Sequence, residues 1–129
     1  MHTDPRLGAN EPFCYLTTTG RVTGAPHTIE IWFALDPAEP TRLVMMAGSG
    51  RKADWVRNGG TIPDVTIKLG SLVYPATARI VPPDDPDDML IRRLLVEKYR
   101  SPDDPLTDWG RTALPVLFHL HPAAAKPVE

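Results

Sequence analysis

Cysteine is almost missing from this chain: Cys14 stands alone among 129 residues, so no intrachain disulfide can form and no cysteine cluster is available to hold zinc. A lone thiol suits a reducing compartment, and a cytoplasmic protein is expected. No stretch of 18 consecutive apolar residues occurs, and the opening "MHTDPRLGANEP" has no apolar core of the kind that directs secretion, so neither a membrane span nor a leader is signalled. An excess of charge of one sign is lacking too. The 14 lysines and arginines against 16 aspartates and glutamates leave a formal charge of −2, which provides no global field for nucleic acid and makes any positive patch a local one. Catalytic clusters are equally scarce: no Ser-His-Asp or Cys-His set is discernible, and His119 with His121, two apart on one strand face, supply at most two metal ligands. No metal site is expected.

What is present is an ordinary globular composition, 42% hydrophobic and 23% charged, in a length that fits one domain, 1–129, with a buried core. The core is expected over residues 13–121, with residues 1–10 and 122–129 flexible. Fifteen prolines punctuate the chain into short elements. Between them, alternation of apolar and polar residues predicts strands at Phe13 to Thr19, Thr28 to Leu35, Arg42 to Ala47, Val65 to Leu69, Leu72 to Val81 and Leu114 to Leu120. Asp87 to Tyr99 carries Leu90, Ile91, Leu94 and Leu95 at helical spacing, with two aspartates where the helix dipole favours them. Lys52 to Asn58 reads as a short helical insert stopped by Gly59 and Gly60. The fold class is therefore mainly β with minor α: a six-stranded antiparallel barrel, closed or partly open, with one amphipathic helix.

Two loops attract attention. "TTTGRVTGAPHT" joins the first two strands with Thr18, Arg21, Gly24 and His27. It is either a long hairpin turn, with Gly20 and Gly24 at positive φ, or an anion cradle of hydroxyls, one cation and free backbone amides. "AGSGRK" repeats that chemistry with Ala47, Gly48, Ser49, Arg51 and Lys52, and two cations at a helix start oppose the dipole, so they are either ligand-facing or a solvated pair. Trp32, Tyr74 and Trp109 are aromatics that either line a ring site or belong to the core.

Four stretches in order, "LTTTGRVTGAPHT", "MMAGSGRKADWVRN", "VTIKLG" and "DWGRTALPVLFHL", resemble the deazaflavin-dependent nitroreductase family of flavin-type split β-barrels, over roughly Phe13 to Leu120. The resemblance implies a split barrel that binds coenzyme F420 and transfers a hydride from its reduced form to an electron-poor small molecule such as a quinone, enone or nitroaromatic. Related branches hold FMN, FAD or haem, and a cofactor carrier without catalysis is the further alternative. By position, the cofactor residues implied are Thr18, Arg21, Gly24, His27, Ala47, Gly48, Ser49, Arg51, Lys52 and Trp109, with Trp55 and Asn58 matching the helical turn that follows. The family often has a lysine and a second arginine where this chain has Val22 and His27, so two cations are lost or weakened. Members that reduce nitro compounds often have a tyrosine a few residues before the C-terminal tryptophan; here the chain departs, with Tyr99 ten positions before Trp109 and Asp103 nearer the expected place, so that role is not carried over and Tyr99 and Trp109 stand only as catalytic candidates. A homodimer is expected, with the apolar "FALD" and "PVLF" strands as pairing surfaces.

Overall fold

The computed structural model describes residues 3–128; residues 1, 2 and 129, the outermost parts of the termini expected to be flexible, lie outside the described residues. The chain runs β1 (Cys14–Thr19), β2 (Pro26–Ile31), β3 (Ala34–Asp36), β4 (Glu39–Ala47), α1 (Asp54–Thr61), β5 (Asp64–Leu69), β6 (Leu72–Ile80), α2 (Asp87–Tyr99), α3 (Thr107–Thr112), β7 (Leu114–Leu120) and β8 (Lys126–Pro127). Short 3-10 turns occupy Pro5–Gly8, Gly50–Lys52 and Pro122–Ala124. Seven strands follow one hydrogen-bonded path, β2-β1-β5-β6-β7-β4-β3, and β8 adds to β6. All pairings are antiparallel.

Inward side chains from strands far apart on that path meet: Leu16 of β1, Ile67 of β5, Tyr74 of β6, Phe118 of β7 and Met45 of β4 share one buried cluster. A flat sheet could not bring them together, so the sheet curls into a half-barrel of the split-barrel class. The opposite face of β4 and β7 carries a second cluster, in which Ile91 and Leu95 of α2 pack on Val44, Met46 and Leu117. Each such buried aliphatic side chain contributes roughly 1.5–3 kcal/mol. Five consecutive buried residues at the end of β4, Leu43 to Ala47, follow from this double coverage: odd positions face the barrel, even ones the helix.

The expected six strands become seven on the main path because the predicted Thr28 to Leu35 strand is broken at Trp32 and Phe33. There the Tyr99 hydroxyl stands in for a strand neighbour: the Phe33 N–H donates to it at 3.1 Å, and its single proton lies between the Phe33 carbonyl at 3.1 Å and the Pro12 carbonyl at 2.8 Å. Tyr99 is the last residue of α2, whose observed span coincides with the expected one. The short helix does not stop at Gly59 and Gly60. It continues to Thr61, and it lies close on β6: a Cβ on Gly59 would meet the Ala78 Cβ at an ordinary 3.5 Å, and one on Gly60 would stand a tighter 3.3 Å from Ile80 Cδ1. In the two stretches suggested for pairing between copies, Phe33 and Ala34 are buried within the chain, and so are Pro115, Val116, Leu117 and Phe118, while β3 itself is an edge strand of the path.

Candidate functional site

The first loop closes on itself through Gly20 N–H to Ala25 carbonyl and Gly24 N–H to Gly20 carbonyl, both 2.8 Å. Gly24 has φ 76°, as a turn glycine should, but Gly20 does not share that conformation. The space at Gly20 is tight for another reason: a Cβ there would stand 3.1 Å from the Ala25 carbonyl oxygen and 2.8 Å from Nε2 of His27, the residue opposite Thr18 in the β1–β2 register. Beyond the loop, β2 and α1 complete a groove of about 600 Å³ lined by Thr18, Arg21, His27, Trp55, Asp54 and Asn58, among others.

Asn58 is the centre of this arrangement. It is only 4% exposed, and its Oδ1 accepts from the Arg21 backbone N–H at 3.2 Å and from the Arg21 guanidinium at 2.7 Å. Its Nδ2 donates to the Thr18 hydroxyl at 3.3 Å. A second guanidinium nitrogen of Arg21 reaches Asp54 Oδ1 at 3.4 Å. The pairing follows from helix geometry, since residues 54 and 58 are four apart and share the face of α1 turned to the loop. Trp55 lines the groove with one part and packs on Phe118 with another, ring centroids 6.4 Å apart.

The second loop goes elsewhere. Ala47 ends β4 and is buried, Gly50 turns at φ 61°, and Arg51 and Lys52 sit exposed on the 3-10 turn, neither side chain in an ion pair among the described residues. None of Ala47, Gly48, Ser49, Arg51 and Lys52 lines the first groove. Gly48 instead lies under the indole of Trp109, where a Cβ would come 3.7 Å from Cδ1. Trp109 sits on α3, a helix the periodicity does not reveal, and meets Trp32 edge-on at 5.6 Å and 87°. Trp32 in turn stacks on Tyr99 at 4.3 Å and 4°. A second groove of about 300 Å³ opens beside this cluster, walled by Phe13, Glu30, Ile31, Trp32, Met46 and Trp109.

Thus Thr18, Arg21 and His27 converge in one groove, Gly48 and Trp109 adjoin the other, and Gly24 faces open space. The Tyr99 hydroxyl is tied to main chain, donating toward the Pro12 carbonyl at 2.8 Å besides its contacts with Phe33, and burial pushes it up to about 12. Tyr74 is core, 1% exposed, its hydroxyl on the Thr3 carbonyl at 2.9 Å. Asp54 is a groove residue that sequence reasoning misses; its one signal is the four-residue spacing to Asn58. Among the described residues no cluster of three or more His, Cys, Asp or Glu side chains forms that could hold a metal, and no helix is long and apolar enough to cross a membrane.

Comparison with known proteins gives this geometry a context. The F420H(2)-dependent quinone reductase Rv1261c of Mycobacterium tuberculosis (strain ATCC 25618 / H37Rv) is 33% identical over 82 residues, 64% of this chain and 55% of that protein. The chain therefore matches about half the length of this relative. A solved structure described as an F420-H2 dependent reductase (FDR-A) superimposes with a TM-score of 0.64 at 23% identity, over 86% of this chain and 95% of the other. Another, described as a domain-swapped dimer, gives 0.64 at 24% identity over 86% and 81%. These two likenesses carry the fold. The family assignment rests on the sequence: residues 5–120 match throughout, and the chain belongs to the F420H(2)-dependent quinone reductase family.

Proposed function

We propose that this chain binds coenzyme F420 in the first groove and reduces a small electron-poor acceptor, a quinone in the first instance. Family membership implies F420 as the cofactor, and the observation that carries the reading is Arg21, aimed and held at the groove by the buried amide of Asn58. The donor chemistry fits an anionic phosphate: a guanidinium and the His27 imidazole line the groove. Arg51 and Lys52, exposed on the neighbouring turn, add positive charge for an acidic tail.

When bound, reduced F420 supplies the hydride. The protein's part is to hold and orient both reactants and to keep water out. Arg21 needs little reorganisation to grip an anion, because Asn58 already fixes its backbone and side chain. Trp55 gives the groove an apolar wall anchored in the barrel. The Trp32 and Trp109 faces of the second groove suit a flat apolar acceptor. Tyr99 braces Trp32 and the β2–β3 break and is assigned no proton transfer, its hydroxyl being committed to main chain. Assembly as a homodimer and a cytoplasmic location belong to the same proposal, with sedimentation and cell fractionation as their checks.

The deciding experiment is titration with F420, FMN and FAD, followed by fluorescence quenching. F420 should bind and the reduced form should be oxidised on adding a naphthoquinone. Arg21→Ala, which removes a charge-assisted contact of about 1.5–3 kcal/mol, should weaken F420 binding on the order of ten- to a hundred-fold. Preferential binding of FMN or FAD would make the protein a flavoprotein on the same barrel, and F420 binding without turnover a carrier.

A further inference from the structure

The second groove has a charge character of its own. Trp32 and Trp109 meet at 87° with ring centroids 5.6 Å apart, forming a corner of two indoles, and Phe13 adds a third aromatic wall. Although Tyr99 stacks on it, Trp32 is still 41% exposed, a large aromatic surface left open. Among the described lining residues Glu30 carries the one charge. It pairs with Tyr15 across β1 and β2, and its Oε1 accepts from the Tyr15 hydroxyl at 3.2 Å. Tyr15 in turn meets Phe13 edge-on at 5.9 Å, so the carboxylate lies on the same side of the sheet as that wall. Glu30 enters no ion pair among the described residues. Two lysines stand nearby without lining the groove: Lys68 of β5, 5.0 Å from the centre of the Tyr15 ring, and Lys98, 5.2 Å from that of Tyr99. Indole faces and a carboxylate favour the same sign of charge in a ligand, a positive one.

We infer that the second groove prefers, among flat rings of similar shape, one that carries a positive charge, such as an N-alkylated heteroaromatic cation, and that Glu30 is the residue that sets this preference. The inference rests on the reading of this groove as the acceptor's place, and names the charge class of acceptor within it. The aromatic walls hold any flat ring through buried area and stacking, whatever its charge. A cationic ring gains in addition the attraction of the indole faces and of the carboxylate, whereas an anionic ring is repelled by both. Such a cation is also electron-poor, as that reading requires. The Tyr15 hydroxyl engages only one oxygen of Glu30 among the described residues, which leaves the other for the ligand.

The test follows the indole N–H signals of Trp32 and Trp109 by NMR, with Trp55 as the internal control, while 1-methylquinolinium or quinoline is added at neutral pH. The two probes are nearly equal in shape, and only the first is charged. The parent should bind 1-methylquinolinium several-fold more tightly than quinoline. Glu30→Gln, which keeps an acceptor for Tyr15, should weaken the cation roughly fourfold, the factor for one unit charge about 5 Å away in nearly aqueous surroundings, and leave quinoline unchanged. Glu30→Lys should weaken the cation further, again with quinoline unchanged. Glu30 is exposed, so the fold tolerates both substitutions, and Lys68 and Lys98 act alike in all three proteins. Equal affinity of the parent for the two probes, an unchanged ratio in Glu30→Gln, or a shift at neither indole would overturn the inference. The reading beneath it is tested separately, with reduced F420 and a naphthoquinone: 1-methylquinolinium should raise the apparent KM for the quinone. A cation that binds at the two indoles and leaves that KM unchanged would overturn the placing of the acceptor, while the cation site would stand.

Discussion

Asn58 shows how much one neutral side chain can organise. A buried amide with one acceptor and one donor used links β1 through Thr18, the loop through the Arg21 backbone, and the guanidinium itself. Removing it leaves a hydroxyl and a backbone N–H short of partners in a partly closed site, which costs about 1–3 kcal/mol. Asn58→Ala should therefore lower the urea midpoint of unfolding and weaken F420 binding together, whereas Arg21→Ala, whose side chain is partly solvated, should leave the midpoint nearly unchanged. A normal midpoint in Asn58→Ala would mean that water replaces the amide and that Arg21 finds its own orientation. The glycines follow a related logic. Gly20 reads as a turn residue on composition, yet its backbone is unexceptional and a Cβ there would crowd the Ala25 carbonyl and His27.

At the scale of elements, α2 does more than cover the sheet. Its last two residues reach the break between β2 and β3: Tyr99 binds the Phe33 backbone, and the Lys98 ammonium sits 3.6 Å above the Phe33 ring while donating to the Ala9 carbonyl at 3.2 Å. Burial lowers Lys98 from 10.5 to about 8. Between those two values the unfolded chain binds more protons at this site than the folded one, so its contribution makes stability rise with pH. Below pH 8 both states carry the proton and the contribution is flat. The buried Cys14 thiol, pushed up to about 12 from 9.0, acts oppositely once pH passes 9, because the unfolded chain then loses a proton that the folded one keeps. The clean window is pH 8 to 9. Urea unfolding of the parent should show stability gaining there relative to Lys98→Met, and parallel pH profiles of the two proteins would rule out a buried ammonium. Much of this layer is legible in sequence: α2 has a long helical period, and β5 and β6 alternate cleanly about a two-residue turn. The β2–β3 break is not, because the alternation reads smoothly through Trp32 and only a tyrosine 66 positions away interrupts the ladder. The six residues of α3 are too few to display a period.

Across the whole molecule the two loops that look alike in sequence occupy different electrostatic situations. Composition and spacing identify both as cation-bearing, glycine-rich turns, but which of them shares a groove depends on where β2 and α1 meet, a property of the folded sheet. Arg21 is held within hydrogen bonds at the first groove, whereas Arg51 and Lys52 project from an exposed 3-10 turn that does not line it. In a chain of net charge −2, those two cations bring local positive charge to one side, and they act on a bound anion through solvent. Screening then separates the contributions, since the Debye length falls from about 10 Å at 0.1 M salt to about 3 Å at 1 M. The double variant Arg51→Ala with Lys52→Ala should weaken F420 binding several-fold at 0.1 M by this screened attraction and by almost nothing at 1 M. The loss in Arg21→Ala, a direct contact, should persist at both. Equal losses for the double variant at the two salt concentrations would place Arg51 and Lys52 in contact with the cofactor, and the second loop would then move on binding to join the first.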